Sequence, residues 1–284
     1  MVVVQNRVNF WDAIVQVHNA KGESSASSSR DLTIIILGSE NSGKSTLLSS
    51  FIYKSRPNDL KPTIGLDYKY IRMNSSPESV SQGKMIHHFW EIGGGRQMAS
   101  TLSTLLTDNT AIVLVVDLSK PSNIVSDLLY WLPYIDSTAT SSGRTRPQIV
   151  VVANKYDLLP AGVNLELVFR TIRSIALRYD AAVLNHAVDN RLLHQQYRNA
   201  ISRFLTQRPI VSGPGQYDPA KPIMIAAGSD SLENIGLPPG LSSSPDPMKS
   251  WCQAYDHVFG RDPYPVPVVE PQLEPEPLID AVLG

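Results

Sequence analysis

Short unbroken apolar runs alternate along the chain with segments whose apolar residues recur every three to four positions. The runs at 32–37 and 111–118 predict strands buried on both faces, and 148–153 predicts a further strand. Residues 66–73 and 84–92 predict a strand pair, joined by a polar turn over 74–83. Helical spacing is predicted at 44–54, 97–106, 124–135, 165–179 and 191–206. A weaker strand is predicted at 181–184, and a polar loop at 137–146. This order predicts an α/β fold with a doubly wound, mostly parallel sheet and right-handed crossovers. No internal repeat is visible.

The flanks follow other patterns. Asn9 is a candidate cap for a short helix in which Phe10, Trp11, Ile14, Val15 and His18 fall at helical spacing. That helix either packs on the core or binds a partner. Residues 22–29 are a Ser-rich linker. Beyond residue 207 the strand–helix alternation stops. Residues 223–227 predict an added strand, 236–247 a Pro, Gly and Ser-rich stretch, and 248–259 a helix presenting Trp251, Tyr255 and Phe259 as a stripe that either packs on the domain or joins a partner interface. Prolines dominate from Asp262, which predicts an extended or disordered tail. Within it Leu278, Ile279, Val282 and Leu283 share one helical face, a possible adaptor-binding peptide. The expected plan is four segments: 1–30, 31–207, 208–260 and 261–284.

Composition narrows the function. The 284 residues hold one cysteine, so no intramolecular disulfide forms, which suits a reducing compartment. No apolar run approaches the roughly 18 residues of a membrane span, and the first residues do not read as a secretory signal. Direct membrane insertion is therefore not expected. The net charge is -1, and five acidic residues with no basic one fall between Asp262 and Gly284. No dense Lys/Arg cluster with interleaved aromatics is present, so nucleic-acid binding is not expected.

Two motifs carry chemistry. Gly38-Ser-Glu-Asn-Ser-Gly43-Lys44-Ser45 matches the phosphate-loop pattern in full, after a predicted buried strand and before a predicted helix. Glycines let such a loop wrap a phosphate with its N–H groups, and the helix N-terminus adds positive potential. Lys44 would reach the β and γ phosphates, and Ser45 would ligate Mg²⁺. Asn154-Lys155-Tyr156-Asp157 follows a strand in the right order for guanine reading. There Asp157 would accept from guanine N1–H and the 2-amino group, donors that adenine lacks.

Further segments resemble the switches of Ras-like and Rab-like GTPases. Pro62-Thr63-Ile64-Gly65 resembles the first switch, which places Thr63 at Mg²⁺ and the γ-phosphate. The second switch departs from the Asp-x-x-Gly-Gln pattern: the chain has Glu91-Ile92-Gly93-Gly94-Gly95. Glu91 stands at the Mg-linked acid, Gly94 at the glycine, and Gly95 where a glutamine would orient water. Loss of that glutamine predicts slow or absent hydrolysis. Asn185-His186-Ala187-Val188 only loosely resembles the third base-contact motif, and His186 is expected on a loop or rim. His87 and His88 point to opposite strand faces and are read as structural. The predicted nucleotide set is thus Gly38, Ser42, Gly43, Lys44, Ser45, Thr46, Thr63, Gly94, Asn154, Lys155 and Asp157. Ser45, Thr63 and Glu91 would surround the metal, and no catalytic residue is assigned.

A wider resemblance covers about residues 32–259. It is carried by Phe89-Trp90-Glu91-Ile92-Gly93-Gly94-Gly95, Val116-Asp117-Leu118-Ser119-Lys120-Pro121 and Asn154-Lys155-Tyr156-Asp157. After the core it continues in Lys221-Pro222-Ile223-Met224-Ile225-Ala226-Ala227-Gly228-Ser229-Asp230-Ser231 and Asp246-Pro247-Met248-Lys249-Ser250-Trp251. This ordered set resembles the light intermediate chains of cytoplasmic dynein 2, the motor of retrograde intraflagellar transport. The resemblance implies a non-catalytic Ras-like scaffold that holds GTP or GDP with Mg²⁺. It implies as partners the dynein heavy-chain tail, other dynein intermediate and light chains, and the transport machinery. It implies location in the cytoplasm and cytoskeleton, and at the axoneme and basal body of the cilium or flagellum. The competing readings are a Rab-like switch GTPase in ciliary or vesicle trafficking, and a GTPase-like adaptor unrelated to dynein.

Overall fold

The structure, a computed structural model, describes residues 2–4, 31–53, 60–74 and 84–260. The predicted N-terminal helix, the Ser-rich linker, most of the turn after Asn74 and the C-terminal tail lie outside them.

Eight strands form one sheet: β1 (Val2–Val4), β2 (Thr33–Gly38), β3 (Leu66–Asn74), β4 (Lys84–Ile92), β5 (Thr110–Asp117), β6 (Gln148–Asn154), β7 (Ala182–Asn185) and β8 (Met224–Ile225). Their order is β1-β3-β4-β2-β5-β6-β7-β8. The centre, from β4 through β2, β5 and β6 to β7, is parallel. The β1–β3, β3–β4 and β7–β8 pairs are antiparallel. Strand order reverses between β2 and β5, and ligands of such sheets bind outside the carboxyl ends of the strands at that point. The loop after β2 sits there.

Period-2 alternation of the strands sorts the core into two layers. Ile35, Leu37, Ile112, Leu114 and Val116 face one layer; Ile34, Ile36, Val113, Val115 and Val152 face the other. The first layer is covered by α3 (Pro121–Ser141), α4 (Leu165–Arg178) and α7 (Pro247–Phe259). The second is covered by α1 (Lys44–Tyr53) and α5 (Arg191–Leu205). Among the described residues there are also two short helices, α2 (Leu102–Leu105) and α6 (Leu232–Ile235).

Three expectations need correction. The predicted polar loop at 137–146 is helix through Ser141. Thr138 and Thr140 return their hydroxyls to the carbonyls of Tyr134 and Asp136, which satisfies polar side chains inside a helix. The predicted helix at 97–106 is a 3₁₀ segment, Gly95–Thr101, followed by the single turn of α2. The added strand at 223–227 shrinks to the two residues of β8. Of the two readings of the aromatic stripe, packing on the domain holds for Trp251 and Tyr255, which are 1% and 0% accessible. Trp251 Nε1 donates to the Gly236 carbonyl and Tyr255 Oη to the Pro121 carbonyl. Each buried ring thereby finds a partner for its polar end.

The segment after residue 207 is tied into the core by an ion pair as well as by rings. Arg173 of α4 grips Asp230 through Nε at 2.8 Å and Nη2 at 2.9 Å, and both side chains are buried. Arg170 donates to the Ile235 carbonyl and lies over the Trp251 ring. Ile223, Ile225, Ile235, Trp251 and Tyr255 belong to the same apolar cluster as the central strands.

Candidate functional site

The loop Gly38–Ser45 turns sharply from β2 into α1, and its backbone needs glycine at two places. Gly38 has φ +139° and Gly43 φ +96°. A Cβ at Gly38 would strike the Val115 carbonyl of β5, and one at Gly43 would strike the Asn154 amide of β6. The neighbouring strands thus press directly on the loop. Lys44, buried, donates to the carbonyls of Gly38 at 3.0 Å and Ser39 at 2.7 Å, so its ammonium lies within the loop's curve. Burial holds its pKa below the ordinary value, against the opposing pull of Glu91, Glu40 and Asp127.

The loop opens onto a cleft of about 460 Å³. Gly43, Lys44, Ser45, Thr46, Thr63, Glu91 and Gly94 all line it. Ser45 Oγ donates to Glu91 Oε1 at 2.6 Å and lies 3.3 Å from Thr63 Oγ1. The three predicted metal residues, from α1, the segment before β3 and the end of β4, therefore meet. Glu91 is buried, and its second oxygen, Oε2, has no hydrogen-bond partner. Burial raises its carboxyl pKa, partly offset by the Ser45 hydroxyl and the Lys44 charge. Two hydroxyls and a carboxylate with an unpaired oxygen, beside a glycine loop, are a hard-oxygen set that fits Mg²⁺ with a phosphate.

The base-reading motif lies beside this cleft, outside its lining. Asn154 Nδ2 donates to the Ser42 carbonyl at 2.7 Å. Lys155, at φ +60°, donates to the Asn41 carbonyl at 2.7 Å and pairs with Asp117 Oδ2 at 2.6 Å. The motif is thus bolted to the phosphate loop at two adjacent residues. Asp157 is exposed in a 3₁₀ turn, Tyr156–Leu158, with its carboxylate on the surface. Of the predicted set, Ser42 is fully buried, with its hydroxyl unpartnered.

His186 lies on the loop after β7, as expected, but it is 1% accessible rather than at a rim, with Nδ1 2.7 Å from Asn154 Oδ1. Burial, and next the neighbouring His194, lower its pKa to about 3. His87 is buried as expected of a structural residue, and His88 bonds Tyr68 Oη through Nδ1 at 2.8 Å.

Sequence reading also missed a clamp. Asp127 of α3 is buried, accepts from Ser39 Oγ at 2.6 Å and pairs with Arg96 at 3.0 Å. Arg96 in turn lies over the Tyr130 ring. One carboxylate thereby joins the phosphate loop to the segment that follows Gly95. The available signal was an acidic residue on the apolar stripe Ile124, Leu128, Trp131 of α3. Gln97, two residues past Gly95, also lines the cleft.

Comparison with known proteins agrees with this geometry. The family model described as Ras of Complex, Roc, domain of DAPkinase matches residues 33–157, from the start of β2 to Asp157. Cytoplasmic dynein 2 light intermediate chain 1 of Mus musculus is 28% identical over 272 residues, 80% of this chain and 76% of its own. Its counterpart from Danio rerio is 27% identical over 304 residues, 88% of this chain and 82% of its own. ADP-ribosylation factor-like protein 5 of Caenorhabditis elegans is 30% identical over 146 residues, 49% of this chain and 73% of its own. The last match covers only about half of this chain, whereas the first two cover 80% and 88% of it, more than the nucleotide fold alone. The chain resembles the cytoplasmic dynein 2 light intermediate chains over most of its length, and it is built on a Ras-like P-loop domain.

Proposed function

We propose that this chain is a non-catalytic subunit of the cytoplasmic dynein 2 motor. It binds the heavy-chain tail, stands beside the other intermediate and light chains, and supports retrograde intraflagellar transport and cilium assembly. Its places of action are the cytoplasm and cytoskeleton, and the axoneme and basal body of the cilium or flagellum. One observation carries this reading: the similarity to relatives named as dynein 2 light intermediate chains spans 80–88% of the chain. A nucleotide domain of 31–207 and an extension of 208–260 work as one scaffold, because Arg173–Asp230 and the Trp251 and Tyr255 rings join them.

The cleft would hold GTP or GDP with Mg²⁺. The loop N–H groups from Gly38 to Thr46 would cradle the phosphates, with Lys44 at the β and γ positions. Ser45, Thr63 and Glu91 would hold the metal, whose role is to neutralise phosphate charge. Gly94 would offer its N–H to the γ-phosphate. Asn154, Lys155 and Asp157 would fix the base. Gly95 has no side chain to orient water, so hydrolysis is slow or absent. The Asp127 clamp on Ser39 and Arg96 supports a second switch that changes little between nucleotides.

Affinity purification of the tagged protein from ciliated cells tests this. Near-stoichiometric recovery of a dynein heavy chain is expected. Recovery of exchange factors and effectors without heavy chain would instead make it a Rab-like switch.

A further inference from the structure

We infer that His186 and His194 form a neutral imidazole relay that positions Asn154, and through it the phosphate loop. The inference rests on the guanine-nucleotide reading of the cleft.

The hydrogen-bond logic fixes the relay's polarity. The Ser42 carbonyl can only accept, so the Asn154 group 2.7 Å from it is the amide nitrogen. Asn154 therefore presents its oxygen to His186, 2.7 Å away. His186 must donate there, so its proton sits on Nδ1 and Nε2 is a bare acceptor. His194 Nδ1, 3.2 Å from Nε2, supplies the donor. The order is His194 to His186 to Asn154 to the Ser42 carbonyl, each donating to the next. It runs from the first turn of α5, through the loop after β7, to the end of β6 and the phosphate loop.

Each link is held from outside. His186 N–H donates to the Ala153 carbonyl, and its own carbonyl accepts from Tyr156 N–H, so its backbone is pinned on both sides of the base-reading turn. The Tyr197 ring packs edge-on against it at 5.4 Å. Burial keeps the ring uncharged, as the acceptor role of Nε2 demands. The Asn154 amide fills the space beside Gly43 that a side chain would occupy, since a Cβ there would collide with it. With Asn154 locked at both its atoms, the loop and the base-reading motif are held at one spacing. His186 and His194 are positioning residues.

The test compares three variants by GDP release, melting temperature and hydrogen exchange in residues 38–45. His186→Phe keeps a ring but no donor, and leaves the buried Asn154 oxygen unpaired. It should release labelled GDP about 10-fold faster. His186→Asn places an amide donor where Nδ1 was and should restore slow release. His186→Gln places its donor at the ε position and should not. In the loop, exchange should quicken for Phe and Gln and stay slow for Asn. If all three share the wild-type release and loop exchange, or lose melting temperature alike without this split, the relay has no positioning role. If the wild-type chain holds no guanine nucleotide, the function proposed above fails, and the exchange pattern still decides the relay.

Discussion

Gly93 N–H donates to the Gly65 carbonyl at 2.6 Å, stitching the segment after β4 to the segment before β3. The same glycine lies against the Thr63 carbonyl so closely that a Cβ would collide with it, and would come within 2.9 Å of the Gly65 oxygen. Both obstacles are backbone and cannot rotate away. Gly93→Ala should therefore push Thr63 away from Ser45 and Glu91, at a cost of about 1–3 kcal/mol from overpacking. The expected result is a melting temperature lower by several degrees and a nucleotide affinity that no longer depends on Mg²⁺.

Glu91 gives the complementary case. Its carboxyl pKa is raised by burial, so above the ordinary carboxylate range the charged form costs the fold stability. Glu91→Gln removes that charge and keeps an acceptor for the Ser45 hydroxyl. Its melting temperature in chelator should not fall, while added Mg²⁺ should stabilise the wild type alone. Thermal scans with and without Mg²⁺ and GDP check this.

Acid should destabilise the fold earlier than carboxylates alone predict. His186 has its pKa lowered to about 3 in the fold, and burial lowers His87 and His88 as well. A depressed folded value means the unfolded chain takes up the proton first. The stabilisation is therefore complete above the ordinary value of 6.5 and is lost as pH falls from there towards 3. Each such group steepens the loss by up to about 1.4 kcal/mol per pH unit. Urea unfolding between pH 7.5 and 5 should show this slope, and His186→Phe should flatten it by one proton.

The Arg173–Asp230 pair predicts how the chain unfolds. Removing one partner leaves a buried charge unpaired, at about 3–5 kcal/mol. Asp230→Ala should lower the stability of the nucleotide fold itself, because Arg173 belongs to α4 within the main core. One unfolding transition, shifted as a whole, is expected; two transitions, with the fold before residue 207 unaffected, would contradict it.

Much of this was readable beforehand because the signals are local. The runs of β2, β5 and β6 are buried on both faces, and such strands need no partner to be recognised. The phosphate loop and the base-reading motif carry their chemistry in consecutive residues. Thr138 misled because its hydroxyl satisfies itself within α3, and a polar run then looks like a loop.

By itself, then, the sequence determined the strand and helix order, the loop at Gly38–Ser45 and the acid at Glu91, since backbone geometry and residue chemistry act over a few positions. Only the tertiary structure decided that Asp127 reaches Ser39 across 88 residues, that His186 reaches Asn154 across 32, and that Trp251 and Tyr255 are core. Those facts depend on which elements pack together. A periodic pattern shows that a face is apolar, but not which neighbour covers it or which buried polar atom it must satisfy.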